Sequence, residues 1–235
     1  MRTQHLMRTL GAIPLLVAGT SAYAQSASEE RPLAHFSKLV VSDGIDVYLT
    51  QSTEESLRLE VEGLELTDIV SEVGGDTLTL RNSRGRGWFD GDEREATVYL
   101  NFVQLSSIEA SGGSDIESRN NLDLEGLKID ASGGSDIDIA LSTQSLALTL
   151  SGGSDAEVRG ETEAFTIAAS GGSDVSAEAF EAERVTAMVV GGSDASIRVT
   201  DILVLDANGG SDVSVYGNPA RRTINNDRSS DIAWH

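Results

Sequence analysis

Seven aspartates recur at nearly fixed intervals in the second half of the chain. They are Asp115, Asp136, Asp155, Asp174, Asp194, Asp212 and Asp231, spaced by 21, 19, 19, 20, 18 and 19 residues. The first six each close a Gly-Gly-Ser-Asp tetrapeptide, and Arg228-Ser229-Ser230-Asp231 is a degenerate seventh copy. Carboxylates repeated in this way can do three things. They can accept hydrogen bonds from turn amides, they can ligate a hard cation such as Ca²⁺ through oxygen, or they can face water. Turn aspartates most often cap backbone, so capping is the first expectation. Asp115, Asp136, Asp155, Asp174, Asp194 and Asp212 are the candidate metal ligands. Calcium β-roll repeats read Gly-Gly-x-Gly-x-Asp with a nine-residue period. Here the second glycine signal is missing and the period is twice as long, so the calcium role is not carried over and no cofactor is assigned.

Other chemistry is thinly supplied. Outside the first 24 residues the only histidines are His35 and His235, and the chain has no cysteine. Thiol nucleophiles and cysteine-containing zinc sites are thereby excluded, and a Ser-His-Asp triad would need a histidine near an end of the chain. Cleavage of acidic glycans needs a clustered base, whereas Lys128, Arg159, Arg184 and Arg198 are scattered. Gly-Gly-Ser-Asp lacks the lysine and following helix of a phosphate loop. No catalytic residue is assigned. The segment Arg84-Gly85-Arg86-Gly87-Trp88-Phe89 pairs basic and aromatic residues in a chain with two Trp, four Tyr and five Phe. Trp88 and Phe89 are candidate ligand-binding residues, because exposed loop aromatics can stack on sugars or anchor a partner. Their bland alternative is to cover an end of the fold, a role that also suits Trp234 at the other end.

The elements that must position the aspartates are visible in the flanks. Before each Gly-Gly, apolar residues alternate with others: Leu127, Ile129, Ala131; Leu146, Leu148, Leu150; Phe165, Ile167, Ala169; Val185, Ala187, Val189; Leu203, Leu205, Ala207. After each Asp the pattern resumes, as in Ile137 with Ile139 and Val213 with Val215. Period two is strand alternation, one face in and one face out. Each repeat reads as strand, Gly-Gly turn, strand, second turn. Because every repeat holds the same phase, like stacks on like only in parallel register, at about 4.8 Å per rung. The expected fold class is all-β, a parallel β-helix with a rung of about 19 residues. Sharp corners need backbone angles closed to residues with a Cβ, which assigns a structural turn role to Gly112 and Gly113, Gly133 and Gly134, Gly152 and Gly153, Gly171 and Gly172, Gly191 and Gly192, Gly209 and Gly210.

The rest of the chain frames this stack. Residues 1–24 read as a cleaved signal peptide: basic Arg2, His5 and Arg8, an apolar run from Leu10 to Ala18, then Ala22-Tyr23-Ala24. Export to the periplasm, the cell surface or the medium follows as an expectation, with no membrane-spanning segment in the mature chain. Residues 25–33 read as a linker, and 34–235 as one domain, less regular over 34–110. The net charge is −21, or −23 without Arg2 and Arg8. That excludes nucleic acid as a partner, since its binding runs on Lys and Arg, and fits solubility, cations or basic partners.

The order of sequence blocks resembles one family. Phe36 with Leu39-Val40-Val41 precedes Asp43-Gly44-Ile45-Asp46-Val47-Tyr48-Leu49-Thr50-Gln51. Gly75-Asp76-Thr77-Leu78-Thr79-Leu80, Val98-Tyr99-Leu100 and Leu105-Ser106-Ser107-Ile108 then lead into Ser111-Gly112-Gly113-Ser114-Asp115. These blocks resemble the head GIN domain family of putative autotransporter adhesins over nearly all of the mature chain, with Gln104 where the family often has proline. The resemblance implies a right-handed β-helix in an exported bacterial protein and no established activity. The expected function is a non-enzymatic envelope or surface scaffold for binding or adhesion, with a glycan or an envelope or surface protein as partner. The alternatives are a polysaccharide-active β-helix and a calcium-stabilised solenoid.

Overall fold

The computed structural model describes residues 26–84 and 94–235. Alternating burial along nearly every strand converts the period-two sequence into a solenoid with two main sheet faces. One face precedes the Gly-Gly corner and the other follows it. The chain contributes β1 (Ser26–Arg31), β2 (Lys38–Ser42), β3 (Asp46–Gln51), β4 (Ser56–Glu62), β5 (Ile69–Gly74), β6 (Thr77–Asn82) and β7 (Glu95–Phe102). It continues through β8 (Ser107–Ser111), β9 (Ile116–Ser118), β10 (Leu122–Ser132), β11 (Asp136–Ser151), β12 (Asp155–Ser170) and β13 (Asp174–Val190). It ends with β14 (Asp194–Asn208), β15 (Asp212–Tyr216), β16 (Arg221–Asn226) and β17 (Asp231–Trp234). The short segment Leu66–Asp68 is a single 3₁₀ turn.

From β8 onward every pairing is parallel and in the register that the repeat demands. Ile129 lies on Leu148, Leu148 on Ile167, Ile167 on Ala187 and Ala187 on Leu205. These inward columns are buried and form one continuous core. One feature departs from the simple repeat. The expected second turn is not a break: β11, β12, β13 and β14 run 15 to 17 residues, from one Gly-Gly-Ser-Asp to the next. The bend is absorbed within the ladder, where the pairing shifts register between Glu157 and Gly160 and between Ala177 and Glu181. Gly160 makes this possible. A Cβ there would lie 2.0 Å from the Leu141 carbonyl oxygen. On the next rung its register partner is Phe180, whose ring meets Phe165 edge-on at 5.2 Å.

The N-terminal rungs are not stacked in chain order. The rung β2–β3 lies between β6–β7 on one side and β8–β9 on the other. Antiparallel strands finish that end, with β4 on β7, β1 on β4 and β5 on β6. Residues 25–33 are therefore not simply a linker. Six of them form β1, and Arg31 reaches inward to donate to the carbonyls of Leu66 and Ile69, each at 2.7 Å.

Candidate functional site

The corner is built from four residues with separate duties. Both glycines have positive φ in every copy, for example 68° at Gly152 and 73° at Gly153. The serine turns inward and is fully buried at Ser114, Ser135, Ser154, Ser173, Ser193 and Ser211. Its hydroxyl oxygen accepts the serine amide of the preceding rung: Ser114 N–H to Ser135 at 3.2 Å, Ser135 N–H to Ser154 at 3.1 Å, Ser154 N–H to Ser173 at 3.2 Å. The hydroxyl then donates to a carbonyl three residues back, as Ser135 does to Ser132 at 3.1 Å. The aspartate turns outward and caps in the other direction. Asp155 Oδ1 accepts Asp174 N–H at 3.1 Å, Asp174 accepts Asp194 N–H at 3.4 Å, and Asp194 accepts Asp212 N–H at 3.0 Å. The corners at Asp155, Asp174 and Asp194 are thus tied to the next rung by aspartate as well as linked through the serine column.

Capping uses one carboxylate oxygen and leaves the row exposed. Asp115, Asp136, Asp155, Asp174, Asp194, Asp212 and Asp231 are all exposed and follow one another along a single edge of the post-corner face. The structure adds a member at the N-terminal end. Val47 pairs with Ile116, which puts Asp46 beside Asp115. Ser42-Asp43-Gly44-Ile45-Asp46 is in fact another corner: Asp43 and Gly44 have φ of 68° and 73°, and the amide of Ile45 donates to Ser114 Oγ at 3.3 Å. The signal was present in the sequence but disguised, with Asp43 in a glycine position and Ile45 in the serine position.

A second acidic column lies two residues further along the strands, where Glu117, Asp138 and Glu157 project from the same face. Together the columns line an open groove of about 500 Å³ that includes Asp46, Asp115, Asp136, Asp155 and Asp174. Crowding is felt at Asp136. Partial burial pushes its carboxyl up from the ordinary range, Asp115 and Asp155 push it further, and the Asp155 amide opposes them. Arginines edge the groove. Arg159 bridges Glu157 and Asp138, and Arg119 pairs with Glu117 at 2.9 Å while its guanidinium lies 3.8 Å over the Tyr48 ring. Tyr48 and Tyr99 pack with ring centroids 5.4 Å apart, and Arg58 covers Tyr99 at 4.0 Å. The N-terminal end of the acidic strip therefore carries an aromatic and guanidinium stack. Sequence reasoning missed it, although Tyr48 and Tyr99 hold the outward phase of their strands.

Trp88 and Phe89 lie outside the described residues. Trp234 is part-exposed at the far end, under the Arg222 guanidinium at 4.3 Å. His35 pairs with Glu55 at 2.7 Å, and His235 stacks on Tyr216 at 4.7 Å; neither lines the groove. Among the described residues no three acidic, histidine or cysteine side chains converge as a metal site, and no helix is long and apolar enough to cross a membrane.

A family model described as "Putative auto-transporter adhesin, head GIN domain" matches residues 35–219. The chain belongs to this head GIN domain family. Solved structures agree on the fold. One described as a putative adhesin, from Bacteroides fragilis NCTC 9343, superposes with a TM-score of 0.81 at 20% identity, covering 90% of this chain and 97% of its own. A second, from Parabacteroides merdae ATCC 43184 and described in the same words, gives 0.69 at 16% identity, covering 90% and 96%. A third, described as a putative lipid binding protein from Parabacteroides distasonis ATCC 8503, gives 0.69 at 14% identity, covering 88% and 96%. Curated proteins yield no match.

Proposed function

We propose that this head GIN domain protein is an exported, non-enzymatic scaffold that binds a glycan or an envelope or surface protein through the acidic groove of its post-corner face. The observation that carries the reading is the groove itself: an open strip of carboxylates at rung spacing, ending beside the tilted Tyr48–Tyr99 pair. A regular strip suits a partner that presents basic or hydrogen-bonding groups at intervals, and the Arg119 and Arg58 guanidinium groups that cover the two rings offer it hydrogen-bond donors at one end. The family description and the adhesin descriptions of two structural relatives point the same way. The test is a binding and cleavage panel of glycans and envelope or matrix proteins, run with Ca²⁺ and with chelator. The reading expects retention without turnover. Depolymerisation that disappears on Asp→Asn changes in the groove would replace it with an enzyme, and binding or melting that depends wholly on Ca²⁺ would replace it with a calcium-organised solenoid. Absence of any retention would remove it.

A further inference from the structure

The two broad faces of the solenoid differ in charge. On the post-corner face, Asp136 and Asp138, Asp155 and Glu157, Asp174 and Ser176 hold the outward positions of β11, β12 and β13, and five of these six side chains are carboxylates. The same strands then bend and run on through the pre-corner face. There the outward positions are Ala147 and Thr149, Thr166 and Ala168, Thr186 and Met188, stacked in register. They alternate with buried residues such as Leu148, Ile167 and Ala187, so they face solvent. None of the six is charged, in a chain of net charge −21. Val204 of β14 extends the patch beside Thr186. Met188 and Val204, at 53% and 41%, are the two most exposed large hydrophobic residues among those described.

Charges at the rim of this patch already have partners on their own chain. Lys128 and Asp130 of β10 pair with each other at 2.6 Å. Asp206 of β14 accepts the Asn225 amide at 3.3 Å and that of Asn208, and Arg184 pairs with Glu163 and Glu183, each at 3.5 Å. The bend that joins the two faces carries the exposed Glu161, Glu163, Glu181 and Glu183. Two copies meeting through that bend, through the aspartate corner or through the post-corner face would oppose carboxylates. Two copies meeting through the pre-corner face would not. Strands β2, β8 and β10 separate β11 from β6, so the patch belongs wholly to regular rungs. From β10 through β14 to β16 this face measures about 30 Å by about 22 Å at the usual rung and residue spacings, about 650 Å². Two such faces together bury about 1,300 Å², which is within the range of a stable interface.

We propose that two copies of this chain pack back to back through their pre-corner faces, sheet on sheet, with both acidic grooves outermost. Short and β-branched side chains make a flat surface of the kind that packs on another sheet about 10 Å away. A two-fold contact needs a face complementary to itself. Columns of Ala, Thr and Val meet that condition, because none of them presents a charge to its own kind. Charge also sets the occupant. A basic partner is drawn to the groove side, and an acidic one is repelled by the whole molecule. Two copies at net charge −21 are held least far from neutrality in the contact when their carboxylates point apart, and back-to-back packing places the thickness of both solenoids between the grooves. The dimer carries two grooves facing opposite ways, whatever the groove binds.

Sedimentation equilibrium of the purified protein across concentration and salt tests this. The mass is expected to rise with concentration to that of a dimer and to stop there. Added salt should strengthen association, because it screens the repulsion between acidic copies while the patch itself offers no ion pair to weaken. Met188→Glu and Ala168→Glu should each weaken association at least about tenfold, whereas Ser176→Glu, the same change on the post-corner face, should leave it within about twofold. Circular dichroism and the melting temperature report whether each variant is folded, and Thr166→Arg gives the same test with the opposite charge. A wild type that stays monomeric at every concentration and salt, assembly past the dimer, association that salt weakens, or folded patch variants that dimerise like the wild type would each overturn the proposal.

Discussion

Gly152 and Gly153 share a left-handed backbone but not the same surroundings. A Cβ on Gly152 would meet the Gly133 amide nitrogen at 3.4 Å, whereas one on Gly153 would meet nothing within 4 Å. Gly153→Ala should therefore cost only the backbone term, about 1–2 kcal/mol, and Gly152→Ala more, because the rung below must also give way. Gly160→Ala should be the most damaging of the three, at about 3 kcal/mol or more, since its Cβ would collide with the Leu141 carbonyl oxygen at 2.0 Å. Urea unfolding of the three variants checks the ranking. Ser154→Ala leaves the Ser135 amide without its acceptor in a fully buried corner and should cost about 1–3 kcal/mol by the same measurement. The corner glycines were legible in the sequence because they are repeated as identical pairs. Gly160 was not, since one glycine in a strand pattern says nothing about a carbonyl one rung away.

The last corner shows how an element is finished without the motif. Arg228 and Ser229 replace the glycine pair, and neither has positive φ. Asp227 compensates: its carboxylate accepts Gly209 N–H at 2.9 Å, Ser229 N–H at 3.0 Å and the Ser229 hydroxyl at 2.8 Å. The Gly209 amide, followed by the Ser229 hydroxyl, lowers the Asp227 carboxyl to about 2, below the ~3.9 of an unfolded aspartate. The sign follows from linkage. The contribution of Asp227 is complete above about pH 4 and is lost as pH falls through about 2. The melting temperature of Asp227→Asn should lie below wild type near about pH 5, and the gap should close on acidification to about pH 2. Asp136 has the opposite sign. Its carboxyl is pushed up by burial and by its acidic neighbours, so its charge costs stability above the raised value and the cost is relieved on protonation. Asp136→Asn should raise the neutral-pH melting temperature, more at low salt than at high. At this scale the strands and their parallel register were legible from period-two alternation. The insertion of β2–β3 between β6–β7 and β8–β9 was not. Alternation fixes which face a strand buries, and nothing in residues 34–110 repeats strictly enough to fix which rung lies on which. Asp46 escaped notice for the same reason.

The whole molecule is a cysteine-free, strongly acidic stack that holds together by core columns, parallel ladders and hydrogen-bonded corners. Its charge is not spread evenly. Neighbouring aspartates at about 4.8 Å repel by about 0.9 kcal/mol even in bulk water, and the caps that Asp155, Asp174 and Asp194 make to the next rung offset this within the fold. The capping expected from turn chemistry was legible and is what the corner does. The groove was legible only in part: the aspartate row could be counted, but the Tyr48–Tyr99 stack depends on which strands adjoin. The proposed role predicts that this face, and no other, carries binding. The most direct measurement is surface plasmon resonance of the wild type and of a variant combining Asp115→Asn, Asp136→Asn, Asp155→Asn and Asp174→Asn, against basic proteins and amino-sugar glycans at low and high salt. Salt-sensitive binding by the wild type, lost in a variant that still melts cooperatively, is the predicted result. Equal binding by both proteins, or a preference for acidic ligands, would contradict it.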